Sequence, residues 1–122
     1  MSEKRLQALR GATQCLNTEV DIGAQVSCLY DSLLEKNSLA EKDIVSVIFS
    51  QTADLDAINP AAALRQSGRA AELALFAVME APAINSLPHI IRALVHCYLP
   101  SKSKPCHVYC NGAEVLRPDR AE

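Results

Sequence analysis

Apolar residues recur along the chain with two different spacings, and the first of these predicts a long helix. The pattern begins at Thr18, a favoured N-cap residue with Asp21 three positions further on, and it ends near Asn37. Its apolar positions are separated by four, three and four residues, as on one buried helical face: Ile22, Val26, Leu29 and Leu33.

The second spacing is a continuous apolar run bounded by polar or turn residues, which predicts buried strands. Four such runs occur, at 6–15, 44–49, 73–79 and 90–99. Gly11 interrupts the first run, and a glycine inside a strand often marks a bulge or a close backbone approach. Between the second and third runs, Asn59 and Pro60 form a good helix start, so a short helix is predicted over 61–66, ending near Gly68.

The dipeptide Asn111-Gly112 is the strongest short hairpin signal, and it predicts that 107–110 and 113–116 form paired strands. With the terminal hairpin written as one element, the predicted order is β-α-β-α-β-β-β. This order indicates a mixed α/β, or α+β, fold in which a five-stranded mixed sheet is backed by helices. We expect one domain over residues 1–122, with 118–122 as a flexible tail.

Composition excludes several classes of function. The 122 residues carry 12 basic and 14 acidic side chains without a basic stripe, so a nucleic-acid partner is not expected. Residues 1–5 lack the apolar stretch of a signal peptide, and no run of roughly 18 apolar residues could span a bilayer, so we expect a soluble, cytoplasmic protein with no membrane partner. An odd count of five cysteines favours reduced thiols over a disulfide framework.

Charged side chains stand at unusual places in the predicted strands. Arg10 lies in the first strand and Arg92 lies in the middle of the apolar run 90–99, where a buried, unpaired charge is costly. Arg92 therefore either reaches water or points into a cleft that awaits an anion. Glu80, at the end of a strand, is either solvated or pairs with a cleft arginine, and Tyr109 is either a sheet-face aromatic or a donor to a carboxylate.

Other candidate chemistry is weaker. Asp54 and Asp56 lie in a polar loop, where carboxylates more often cap turns than act as paired acids. Metal-ligand residue types cluster late in the chain, but their spacing fits no compact zinc pattern: His96, Cys97, Cys106, His107 and Cys110. No nucleophile elbow and no glycine-rich phosphate loop is present. No metal or other cofactor is expected.

Five segments occur in order over nearly the whole chain: Arg10 to Thr13, Asp54 to Arg65, Met79-Glu80, Arg92, and His107 to Tyr109 followed by Val115 to Asp119. Together they resemble the trimeric monofunctional chorismate mutases. The resemblance implies an isomerase of aromatic amino-acid biosynthesis that converts chorismate to prephenate without a cofactor. It also implies a homotrimer shaped as a pseudo-α/β barrel, with active sites in clefts between neighbouring subunits.

The resemblance also implies roles for individual residues. Arg10 matches an arginine that grips a substrate carboxylate, and Arg92 matches one that faces the ether oxygen and a carboxylate. Glu80 matches the acceptor of the substrate hydroxyl, and Tyr109 matches a residue that reaches the enolpyruvyl carboxylate. The remaining matched positions at the rim of the site or in contact with substrate are Asn59, Ala61, Arg65, Ala77, Leu116 and Arg117.

Three positions depart from the family pattern. Asn59 stands where an aromatic residue is familiar, Ala62 where a lysine is familiar, and Ala77 where a cysteine contacts the substrate hydroxyl. Two other functions stay open on the sequence. One is a trimeric imine deaminase, which also holds a carboxylate with an arginine; the other is a binding protein that has kept the fold without turnover.

Overall fold

The computed structural model describes residues 3–116. Five strands form one mixed sheet: β1 (Lys4–Gln14), β2 (Ile44–Gln51), β3 (Ala74–Met79), β4 (Ile90–Pro100) and β5 (Val108–Cys110). Two α-helices, α1 (Glu19–Lys36) and α2 (Pro60–Gln66), accompany two short 3₁₀ helices at Glu41–Asp43 and Ala113–Leu116. The predicted five-stranded mixed sheet with helical backing is confirmed.

The strands are arranged in the order β3-β2-β4-β1-β5. β4 lies at the centre and pairs antiparallel with β1 on one side and with β2 on the other. The two outer strands are parallel to their neighbours, β3 to β2 and β5 to β1. The sheet therefore combines residues from both ends of the described chain.

Helix α1 begins and ends where the sequence predicts. The Thr18 hydroxyl accepts a hydrogen bond from the Asp21 N–H at 3.0 Å, which satisfies one of the free donors of the first turn. The Asp21 carboxylate accepts from the Leu16 N–H at 2.6 Å, so it fixes the chain entering the helix. At the other end, Asn37 is the C-cap and its side chain donates to the Leu33 carbonyl.

The two faces of the sheet have different surroundings. One face packs under both helices, where its side chains join a single core that includes Leu9, Val47, Phe49 and Val95. On the opposite face, Phe76 and Tyr98 remain exposed although they are large and partly apolar. Strand alternation explains the division, because successive residues point to opposite faces. Neither helix in the described part of the chain is both long and apolar enough to cross a membrane.

The predicted hairpin at the end of the chain is wrong. Asn111 and Gly112 adopt φ values of 52° and 98°, so the turn forms as the dipeptide favours. After the turn, however, Ala113 is fully buried against Ala12 and Ile90, and the chain continues as a 3₁₀ helix. β5 pairs with β1 instead, because burial of Ala113 competes with extension of a second strand.

The two glycines beside and within α1 provide a test of its packing. A Cβ at Gly11 would lie 2.9 Å from Leu29 Cδ1 and 3.0 Å from the Val108 carbonyl oxygen, so we expect Gly11→Ala to lower the free energy of unfolding by about 1–3 kcal/mol. A Cβ at Gly23 meets nothing within 4 Å, so Gly23→Ala should raise it by about 0.5–1 kcal/mol. Urea denaturation at one fixed protein concentration measures both; equal effects would contradict close packing at Gly11.

Candidate functional site

A pocket of about 330 Å³ opens on the sheet face that the helices leave uncovered. Its lining brings two arginines and a tyrosine together with smaller polar and apolar groups: Arg10, Arg92, Tyr109, Ser50, Ile48 and Leu94. A larger hollow, of about 550 Å³, lies on the outer surface of α1, but its arginine, Arg69, is already paired with Asp31 at 2.8 Å. The sheet pocket is the stronger candidate because it gathers the predicted cations.

Strand register explains why these side chains meet. Arg92 of β4 lies opposite Ala12 of β1 and Ser50 of β2, and Ala12 in turn lies opposite Tyr109 of β5. Residues in register project from the same face of a sheet, as do residues two apart in one strand. Arg10 therefore shares this face with Arg92 and lies diagonally across from it, because Arg10 pairs with Leu94, two residues after Arg92.

Arg92 and Glu80 form the ion pair of the site. Arg92 Nε donates to Glu80 Oε1 at 2.9 Å, and the Ser50 hydroxyl lies 3.4 Å from the same oxygen. Glu80 directly follows β3, and its N–H donates to the Gln51 carbonyl at 2.8 Å, which fixes the carboxylate at the edge of the pocket. The Arg92 side chain is 43% exposed and Glu80 16%, so the cation is paired while still facing open space.

Arg10 and Tyr109 line the opposite side of the pocket. The Arg10 side chain is exposed, and its backbone N–H donates to His107 Nδ1 at 3.0 Å. Tyr109 is half-buried and packs, with Leu116, against the small cluster of Ala12, Ile90 and Ala113. Four residues predicted from the sequence, Arg10, Glu80, Arg92 and Tyr109, are thus close together in one chain.

Other predicted residues lie away from this pocket. The Asn59 side chain caps α2 by accepting from the N–H groups of Ala61 and Ala62. Arg65 donates through both terminal nitrogens to the carbonyls of Ala71 and Leu73, at 2.9 Å each. Ala61 and Ala77 pack against the main core. Arg117 and the tail 118–122 lie outside the described residues.

Two functional contacts were missed by sequence reasoning. Ser50 supports Glu80, and His107 bonds the backbone of Arg10. In the sequence, His107 is a metal-ligand residue type within a segment that matches the family, and Ser50 follows a predicted strand; neither position predicts these contacts. Both contacts depend on strand pairing between distant segments, so the only sequence signal was the position of Ser50 and His107 next to predicted strand ends.

The alternative chemistry does not form a site. The Thr52 hydroxyl and the His89 N–H donate to Asp54 at 2.5 Å and 3.2 Å or less. Desolvation favours a higher pKa for Asp54, but these hydrogen bonds outweigh it and lower the pKa below its ordinary value, as in a turn-capping carboxylate. Within residues 3–116, no group of three His, Cys, Asp or Glu side chains is arranged to hold a metal ion.

Comparisons with known proteins point to one family. The sequence model of the family described as "Chorismate mutase type I" matches residues 6–120. The chain is 30% identical to "Chorismate mutase AroH" of Bacillus subtilis (strain 168) over 117 residues, which cover 93% of this chain and 91% of that protein. It is 36% identical to "Chorismate mutase AroH" of Thermus thermophilus over 89 residues, covering 71% and 72% of the two chains.

The fold matches a solved structure from the same group of proteins. Superposition on the chorismate mutase from Clostridium thermocellum gives a TM-score of 0.82 at 42% sequence identity. The match covers 90% of this chain and 99% of that one. Sequence and fold therefore agree over nearly the full length of both proteins.

The cysteines differ in exposure, and this difference predicts their reactivity. Cys28 and Cys106 are exposed, whereas Cys15 and Cys97 are buried. Burial, together with nearby carboxylates, raises the pKa of the Cys15 thiol to about 11, so little reactive thiolate is present at pH 8. We expect a disulfide reagent to modify Cys28 and Cys106 rapidly and Cys15 only after unfolding. Cys28→Ser should remove one rapid equivalent; rapid reaction of Cys15 in the folded protein would contradict its burial.

Proposed function

Since the chain belongs to the chorismate mutase type I family, we propose that its reaction takes place in the sheet pocket between Arg10, Arg92 and Tyr109. The protein is a chorismate mutase, an isomerase of aromatic amino-acid biosynthesis that converts chorismate to prephenate. The observation that carries the proposal is the paired but half-exposed Arg92 guanidinium facing this pocket. Loss of chorismate absorbance with purified protein, with prephenate identified as product, tests the activity directly.

The reaction explains which residue types the pocket needs. Chorismate is a dianion, and its rearrangement breaks a C–O bond while forming a C–C bond within a six-membered chair. No proton is transferred and no nucleophile attacks. The protein has two tasks: to hold the reactive conformer through its carboxylates, and to stabilise negative charge that grows on the ether oxygen.

Arg92 suits the second task. A guanidinium is permanently charged and carries its N–H donors in a planar fork, so it can bond the ether oxygen and a carboxylate together. Its Nε donates to Glu80, which orients the plane of the group and leaves the donors on the terminal nitrogens for substrate. A donor fixed before the reaction needs no reorganisation as charge develops.

The other pocket residues suit the first task. Arg10 faces the pocket from the neighbouring strand, where a cation can bind a substrate carboxylate, and the Tyr109 hydroxyl can donate to the enolpyruvyl carboxylate. Glu80, held by its backbone hydrogen bond, can accept a hydrogen bond from the substrate hydroxyl. The negative charge of Glu80 also offsets one of the two cations when the pocket is empty.

We further propose that three chains form a homotrimer with the pocket at subunit boundaries, as a pseudo-α/β barrel. Phe76 is 64% exposed on the same uncovered face as the pocket residue Ile48, its partner in register. Leu6, Val78 and Tyr98 are also exposed on this face, and several exposed apolar side chains on one face are characteristic of protein interfaces. In such a trimer, a neighbouring chain would complete the rim with residues that do not line the pocket of their own chain: Asn59, Ala61, Arg65 and Ala77. Leu116 and Arg117 would complete it from the end of the chain.

We also propose that the protein is located in the cytoplasm. All five cysteines are free, although Cys15, Cys97 and Cys110 have limited exposure and the others are open to oxidants. Free thiols at the surface persist where the compartment is reducing.

Replacing Arg92 by lysine tests the need for a planar fork. We expect Arg92→Lys to lower kcat by about 10²–10³-fold, nearly as much as Arg92→Ala, because a point charge cannot donate to two oxygens in one plane. Arg5→Lys, at the exposed start of β1, is the matched control and should leave kcat unchanged. Steady-state kinetics decides the matter, and a lysine variant with most of the wild-type kcat would refute the role.

A charged side chain introduced on the uncovered face of the sheet tests the trimer. We expect a solution mass near three times the 13.2 kDa chain, and Phe76→Lys should reduce that mass and the mutase activity together. Val20→Lys places the same charge at another exposed apolar position, 85% exposed at the start of α1, and should change neither. Light scattering and circular dichroism on both variants separate assembly from folding; a fully active monomer would overturn the proposal.

A further inference from the structure

We propose that His107 is a positioning residue for the reaction: its imidazole fixes the backbone of Arg10 and, with it, the side of the pocket that binds a carboxylate. The inference rests on the proposed function of Arg10. His107 Nδ1 accepts the Arg10 N–H at 3.0 Å across a sequence separation of 97 residues. His107 acts through Arg10 and so is distinct from the residues that line the pocket.

The hydrogen bond between Arg10 and His107 lies just before the start of the short strand β5. β5 has three residues, and its pairing with β1 begins only at Val108 opposite Gly11. Arg10 therefore lies just before the first pair, and the imidazole extends the hydrogen bonding between the two strands by one position. Because an imidazole nitrogen that accepts a hydrogen bond carries no proton, the ring is the tautomer protonated on Nε2.

A second set of bonds holds His107 itself. The preceding residue, Cys106, exchanges two hydrogen bonds with the Asn37 side chain, N–H to Oδ1 at 2.8 Å and Nδ2 to carbonyl at 2.9 Å. Asn37 also donates to Leu33 at the end of α1. A continuous line of bonds thus runs from the end of α1 through Cys106 and His107 to Arg10.

The same bond sets the separation of two substrate-binding groups. Tyr109 follows His107 by two residues and lies opposite Ala12, which follows Arg10 by two residues. The hydrogen bond from the Arg10 backbone to His107 therefore holds β1 and β5 together two residues before Ala12 and Tyr109. Small displacements of positioned groups are costly in catalysis, so loss of this bond should weaken the binding of substrate carboxylate groups by Arg10 and Tyr109.

Leucine and asparagine at position 107 form a matched pair of similar shape. Asparagine presents an oxygen near the position of Nδ1, whereas leucine presents a methyl group. We expect His107→Leu to raise KM for chorismate about tenfold with a smaller change in kcat, because Arg10 binds substrate and transition state alike. His107→Asn should stay within about threefold of wild type, since a neutral hydrogen bond is restored. If the leucine variant does not fold, His107→Ala replaces it in the comparison.

A double-mutant cycle with Arg10→Ala identifies the route of action. If His107 acts through Arg10, His107→Leu should add little to the loss already caused by Arg10→Ala. Independent, multiplying effects, or equal kinetics for the leucine and asparagine variants, would overturn the inference. Wild-type protein that does not convert chorismate would instead refute the proposed function, so the two failures are distinguishable.

Discussion

The antiparallel pairing of β1 with β4 is the constraint on which the rest of the molecule depends. It runs over the full eleven residues of each strand and joins segments from opposite ends of the sequence. Its register decides that Arg10 and Arg92 project from one face. Because side chains alternate along a strand, a slip of one residue would turn one of the two guanidinium groups toward the helices. The main core, Leu9 and Val95 included, prevents that slip by occupying the other face.

The β1–β4 register places two positive charges on one face of the sheet, and Glu80 reduces the repulsion between them. Two cations on one sheet face repel each other, and the cost is largest for Arg92, at the centre of the sheet. One carboxylate within 2.9 Å offsets part of this repulsion without closing the site. An anionic ligand supplies further negative charge on binding. The empty pocket therefore has a net positive character that favours a dianionic ligand over a neutral one.

Elements with local sequence signals were predicted well. Helix α1 followed from the spacing of its apolar residues and from Thr18, and four strands followed from apolar runs. The family resemblance named Arg10, Glu80, Arg92 and Tyr109, and strand register explains their convergence. Prediction from neighbouring residues failed where distant segments determine which strands pair. The turn at Asn111 formed, yet β5 paired with β1 and Ala113 entered a buried cluster, because neither long-range event leaves a signal in the neighbouring residues.

Arg65 of α2 and Ala77 of β3 differ from the pocket residues. Arg65 is bonded to the loop before β3, and Ala77 packs on the helix side of the sheet, so neither lines the pocket of its own chain. The proposed trimer would bring both residues to the pocket of a neighbouring chain, an arrangement that local sequence patterns do not encode.

The pairing of β5 with β1 has a consequence for folding. This pairing closes a loop of nearly the whole chain, and contacts of such high sequence separation form slowly, since much chain entropy is lost before they stabilise anything. Helix α1 can form early from local contacts, but the side of the pocket that holds Arg10 and Tyr109 is complete only when the last strand has docked. Bound ligand therefore stabilises molecules in which β5 is paired with β1 over molecules in which it is not.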